Sequence, residues 1–123
     1  MRNSGNTKIL GKAGEDAAAA FYAQKGFSLI ERNFRIRSGE IDIILEKGDL
    51  LVFAEVKALF GGNAEILADK LGPRKRRKII ETAKYFLQNH RQYSNKIIRF
   101  DVAVVGLSGA ENVRLIENAF SEN

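Results

Sequence analysis

Residues 39–57 read GEIDIILEKGDLLVFAEVK, and their reading decides the fold. Two apolar-rich runs flank Lys47-Gly48-Asp49, each with the period-two alternation of a strand. In the first run Ile41, Ile43 and Leu45 share one face, and Glu40, Asp42 and Ile44 the other. In the second, Val52, Ala54 and Val56 share one face, and Leu51, Phe53, Glu55 and Lys57 the other. A two-residue turn with Gly48 first pairs Lys47 with Leu50. That register sets Asp42 opposite Glu55 and Glu40 opposite Lys57. Facing residues have Cβ atoms about 5 Å apart, so the hairpin is predicted to gather carboxylates and an ammonium among apolar strands.

Upstream, residues 8–25 carry apolar or small residues at helical spacing, with Leu10, Ala13, Gly14, Ala17 and Phe21 in the stripe and Gly26 fitting a left-handed end. Glu15 lies beside the stripe, where it either snorkels to solvent or points into a neighbouring cleft. Residues 27–36 read as a strand. Downstream, residues 63–72 fit either a short helix or a mobile loop. Pro73, the single proline, opens a helix reaching Asn89, with Ile79, Ala83, Phe86 and Leu87 as its buried stripe. Residues 96–106 and 112–118 read as two more strands. The order α-β-β-β-α-β-β, with short early loops and one helical crossover, predicts a mixed α/β sheet flanked by helices. Residues 1–123 are expected to form one domain, with 1–7 and 119–123 as flexible tails.

Composition narrows the function classes. The chain has 123 residues, 45% of them hydrophobic, and no cysteine, which excludes disulfides, thiolate zinc sites and a cysteine nucleophile. No apolar run approaches the roughly 20 residues of a membrane span, and the N-terminus lacks a signal-like apolar stretch. A cytoplasmic protein with no membrane role is expected. The formal net charge of +5 suits a polyanionic partner. Five consecutive cations, Arg74, Lys75, Arg76, Arg77 and Lys78, open the second helix. They oppose the positive helix N-terminus, so either an anionic partner or a solvated basic turn accounts for them.

Asp42 and Glu55 are natural ligands for a hard divalent cation, because Mg²⁺ or Mn²⁺ takes oxygen donors and needs only one or two carboxylates plus waters and phosphate oxygens. The Val56 carbonyl offers a third. Lys57, two residues after Glu55, is placed to orient or deprotonate a water or to offset charge on a pentavalent phosphate. Metal and cation together suit phosphodiester hydrolysis. The competing reading is an exposed face laced with weak ion pairs, each worth about 0–1 kcal/mol. Ile44, Leu51 and Phe53 on the charged face favour a partly buried site instead. Arg99 and Asp101 share the face opposite Phe100 and Val102 and are expected to brace the charged face or to pair with each other. His90 reads as a helix-end residue.

Asp42 followed thirteen positions on by Glu55-x-Lys57, and preceded by a helical Glu15, resembles the PD-(D/E)XK nuclease motif of restriction enzymes and archaeal Holliday-junction resolvases. More closely, the chain resembles the YraN family of small bacterial proteins. The matching stretches are Gly14-Glu15, Gly39-Glu40-Ile41-Asp42, Phe53-Ala54-Glu55-Val56-Lys57, Phe60-Gly61-Gly62, Lys75-Arg76-Arg77-Lys78, Arg99-Phe100-Asp101-Val102 and Ile116-Glu117-Asn118-Ala119-Phe120. The resemblance implies a restriction-endonuclease-like fold. It implies Asp42, Glu55 and Glu15 as Mg²⁺ or Mn²⁺ ligands and Lys57 as the catalytic lysine. On the basic helix start itself, Arg74, Lys75, Arg76, Arg77 and Lys78 are expected to contact nucleic-acid phosphates. The substrate the resemblance implies is DNA more than RNA, structured or branched by analogy with resolvases, which favours a homodimer. The alternative is a non-catalytic nucleic-acid-binding module that keeps the nuclease fold. The family often carries Arg two positions after the motif lysine, where this chain has Leu59.

Overall fold

The structure, a computed structural model, describes residues 4–59, 71–106 and 112–122. The expectations for Phe60-Gly61-Gly62 and for residues 63–70 lie outside the described residues. The hairpin forms in the register that its turn dictates. Strands β2 (Gly39–Lys47) and β3 (Leu50–Leu59) pair from Lys47–Leu50 to Ile43–Ala54. Gly48 has φ +57° while Asp49 stays outside the positive-φ region, the II′ pattern whose twist matches that of the strands. Strand β1 (Ser28–Ile36) adds antiparallel to β2.

Helix α2 (Pro73–Asn89) is part of the crossover that lets β4 (Ile97–Gly106) run parallel to β3, from Leu50–Ile97 to Leu59–Gly106. Strand β5 (Val113–Phe120) closes the sheet antiparallel to β4, giving the order β1-β2-β3-β4-β5. The element order among the described residues is the expected α-β-β-β-α-β-β, with one 3-10 turn at Arg91–Tyr93.

Each face of the sheet is covered by one helix. Helix α1 (Ser4–Gln24) sets Ala18 and Tyr22 on Ile43, Leu45, Val52, Ala54, Ala103 and Val105. Helix α2 sets Ile79, Ile80, Ala83 and Phe86 on Ile44, Leu51, Phe53, Phe100, Val102 and Val104. Burying one such aliphatic or aromatic side chain contributes about 1.5–3 kcal/mol, so both layers are needed to hold a five-stranded sheet. Helix α1 ends on Gly26 at φ +93°, with Gly26 N–H donating to Ala23 O at 3.0 Å and Phe27 N–H to Tyr22 O at 3.1 Å, a Schellman end.

Two ends differ from the expected tails. Helix α1 starts at Ser4, since extending a helix already nucleated fixes few further dihedrals per bond gained. Strand β5 runs on to Phe120, whose ring is buried and stacks on Phe100 at 5.2 Å between centroids.

Candidate active site

The β2–β3 ladder stops at Ile43–Ala54, although both strands continue. Beyond that point β2 pairs only with β1, down to Gly39, and β3 only with β4, out to Leu59. The strands part, and Asp42 sits in the notch. Its Oδ2 accepts the backbone N–H of Val56 at 2.7 Å, so a side chain replaces the missing ladder partner of a strand amide.

Three further carboxylates surround this notch. Glu55 is 6% exposed; Lys57 Nζ lies 3.0 Å and Lys75 Nζ 3.7 Å from its Oε2. Glu15, on α1, has a side chain only 16% exposed, accepts Asn33 Nδ2 at Oε1 (3.2 Å) and lies 3.7 Å from Arg32. Glu40 pairs with Arg35 at 3.1 Å. Burial first, then the negative charge of Glu55 with smaller contributions from Glu15 and Glu40, pushes the Asp42 carboxyl up to about 7, against the opposing hydrogen bond from Val56. The electrostatics therefore link Asp42 to Glu15, Glu40 and Glu55. A cleft of about 520 Å³ lined by Gly11, Lys12, Glu15, Arg32, Asn33 and Arg35 lies at the Glu15 side.

Two sequence expectations are corrected. Asp42 does not pair with Glu55, because the ladder ends one residue short, at Ile43–Ala54. Glu40 does not share a face with Ile44 and does not pair with Lys57. Ile43 lies in the α1-side core, but Ile41 lies in the α2-side core, so alternation breaks at Asp42. The chain turns over there, and Glu40 meets Arg35 of β1, its partner in the β1–β2 register.

The basic turn is divided. Arg74, Lys75, Arg77 and Lys78 are exposed, while Arg76 is half-buried with its guanidinium 5.8 Å from the Phe120 ring centroid. Only Lys75 reaches the acidic notch, through Glu55. That ion pair was not legible in the sequence, nor was Asn33. The one signal for Asn33 is its type, since asparagine is disfavoured inside a strand.

Arg99 and Asp101 pair with each other, Nε to Oδ1 and Nη2 to Oδ2, each at 2.9 Å. Asp101 also accepts Tyr22 Oη at 2.7 Å and Asn118 N–H at 2.9 Å. Burial first, then the Asp101 charge, pushes the Tyr22 hydroxyl up from its ordinary value. This knot ties α1 and β5 to β4. His90 caps α2, with its ring stacked on Phe86 at 4.0 Å and Nδ1 2.8 Å from Phe86 O, as a helix-end residue would.

Fold and notch together define a small mixed α/β protein whose acidic groups meet where two central strands part. The model of "Uncharacterised protein family UPF0102" matches residues 14–105, and the chain belongs to that family, the YraN family that its motifs resemble. Among its relatives, a UPF0102 protein of Treponema pallidum is 45% identical over 100 residues, covering 81% of this chain and 79% of the relative. One of Dictyoglomus turgidum is 36% identical over 118 residues, covering 94% and 99%. One of Desulforapulum autotrophicum is 41% identical over 112 residues, covering 90% and 92%. Among the described residues no helix is long and apolar enough to cross a membrane.

Proposed function

We propose that the protein is a metal-dependent, endonuclease-like hydrolase of nucleic-acid phosphodiester bonds, DNA more than RNA. The observation that carries this reading is Asp42, held in a strand notch and flanked by Glu15 and Glu55, with Lys57 Nζ 3.0 Å from Glu55. The donor set fits a hard cation: every candidate ligand offers oxygen, and the Asp42 carboxyl is held high by burial and by negative neighbours whose charge a cation would offset. Asp42, Glu55 and Glu15 would hold Mg²⁺ or Mn²⁺. When bound, such an ion supplies Lewis acidity and lowers the pKa of a coordinated water.

The chain's own residues do the rest. Lys57 Nζ, anchored by Glu55, is positioned to donate to the attacking water or to a non-bridging phosphate oxygen. Lys75 adds positive charge on the same side. Arg74, Arg77 and Lys78 would hold the phosphate backbone as sequence-independent contacts. A branched substrate and a homodimer belong to this reading through its likeness to resolvases.

One observation favours a second reading, a binding module without catalysis. Among the described residues no three His, Asp or Glu side chains are arranged as a ready cage for an ion, and Glu55 is already engaged by two lysines.

Labelled duplex, single-stranded and branched DNA, and RNA, incubated with Mg²⁺ or Mn²⁺, separate the two. Cleavage by the wild type that Asp42→Ala and Lys57→Ala both lose supports the hydrolase. Binding unchanged in all three proteins, with no substrate cut, supports the module.

A further inference from the structure

Asn33 lies inside β1 with φ +53°, a left-handed conformation foreign to a regular strand that asparagine adopts more readily than other non-glycine residues. The β1–β2 register pairs Arg32 with Ile43 and Phe34 with Ile41, which brings Asn33 alongside Asp42. Both strands turn over at this step. Arg32 reaches α1 through Asp16 at 2.7 Å, whereas Phe34 meets Phe86 of α2 edge-on at 5.1 Å. Across the ladder Ile43 faces α1 and Ile41 faces α2. Residues two apart on a regular strand share a face, so the inversion is common to both strands. On β2 it coincides with the end of pairing to β3 and with the Asp42–Val56 hydrogen bond. The Asn33 amide then donates to Glu15 at 3.2 Å.

We propose that Asn33 is the positioning residue of the acidic notch: its left-handed backbone turns β1 and β2 over so that Asp42 leaves the ladder, while its amide holds Glu15 toward Asp42. That the notch matters for metal rests on the function proposed above; the positioning itself does not. The fold uses the same device once more. Asn118, φ +52°, sits where the β4–β5 register shifts, and its N–H reaches Asp101. These two asparagines are the only non-glycine residues with positive φ among the described residues, and each serves a carboxylate.

The test uses the full chain and two readouts, amide hydrogen exchange at Val56 relative to Leu51 and Phe53, and Mn²⁺ titration. Asn33→Gly permits the left-handed backbone but lacks the amide; Asn33→Val disfavours the backbone and lacks the amide. Asn33→Val is expected to speed Val56 exchange tenfold or more relative to the two reference amides. Asn33→Gly is expected to keep Val56 protected yet to weaken Mn²⁺ binding about tenfold, the size of effect seen when a ligand loses its outer partner. Should the valine variant fail to fold, Asn33→Ala is read in its place. Val56 protection left at the wild-type level in Asn33→Val or Asn33→Ala overturns the proposal. Failure of the wild type to bind Mn²⁺ sinks the metal reading alone, and the Val56 exchange still decides the positioning.

Discussion

The Val56 N–H donates to the Asp42 carboxylate at 2.7 Å where β2 and β3 separate. One carboxylate thus satisfies a strand amide, while Glu15, Glu40 and Glu55 hold negative charge around it. The amide favours the ionised form, and burial and the neighbouring charges oppose it. Burial and the neighbours win, and the carboxyl is pushed up to about 7 from an ordinary 3.8.

That imbalance predicts a pH dependence of stability. The native state holds the Asp42 proton more tightly than the unfolded chain, so unfolding releases a proton between the two pKa values. Stability is fully present below about pH 4 and is lost as pH rises to about 7. The full loss is on the order of 4 kcal/mol at 1.36 kcal/mol per pKa unit. Urea unfolding in EDTA should therefore show a protein weaker at pH 8 than at pH 5, and Asp42→Asn should flatten that slope. An equal slope in the variant would assign it to other groups.

Tyr22 and Asp101 supply a prediction about the fold alone. Asp101 is 1% exposed and accepts from Tyr22, from both Arg99 donors and from Asn118 N–H. Tyr22→Phe should cost about 1.5–3 kcal/mol, as expected for a bond to a charged acceptor. Asp101→Ala should cost about 3–5 kcal/mol, because it leaves the buried Tyr22 hydroxyl and the Asn118 N–H without their acceptor and Arg99 with only Glu117, 3.9 Å from Nη1. Chemical denaturation gives both values. On the function proposed above, Tyr22→Phe should leave any metal or nucleic-acid binding per folded molecule unchanged, since the knot ties helix to sheet and reaches none of Glu15, Asp42 and Glu55 by a described hydrogen bond or ion pair.

Gly39 begins β2 against α2. A Cβ there would meet Thr82 Oγ1 well inside van der Waals contact and Lys78 O at 3.2 Å. Thr82 Oγ1 already donates to Lys78 O at 2.7 Å, so the hydroxyl is held in place. Gly39→Ala should destabilise by about 1–3 kcal/mol, as overpacking does. Adding Thr82→Ala should restore part of that loss. A thermal melt of the double variant no better than the single would point to the backbone carbonyl as the obstacle.

The hairpin register was legible as far as Ile43–Ala54 because it follows from local chemistry: Gly48 at the first turn position dictates Lys47 opposite Leu50, and the ladder follows until the strands part before Asp42 and Glu55. Period two then placed Ile44, Leu51 and Phe53 together correctly, in the α2-side core. It misplaced Glu40, because periodicity assumes a strand that never turns over, and nothing in the β2 sequence announces the inversion shared with Asn33. Lys75 as a partner of Glu55 was equally hidden, since the ion pair spans the crossover and depends on where α2 lands on the sheet. The five cations were visible as a run, but only packing sorts Arg76, against Phe120, from its exposed neighbours.

Those exposed neighbours give a prediction with two signs. Arg74, Arg77 and Lys78 lie in the first turns of α2, which has no acidic residue in its first turn and no side-chain cap. Positive charge there opposes the helix dipole, at a few tenths of a kcal/mol each. Replacing all three by Ala should therefore leave the protein as stable as the wild type or slightly more so. If the three side chains neutralise phosphates, the same replacement should weaken DNA binding uniformly across sequences. It should also lower the slope of log K against log salt by about 3, one for each phosphate no longer neutralised. Fluorescence anisotropy across a salt series, beside a thermal melt, measures both. A salt slope unchanged in the triple variant would mean that this turn is solvated charge and that any nucleic acid binds elsewhere on the surface.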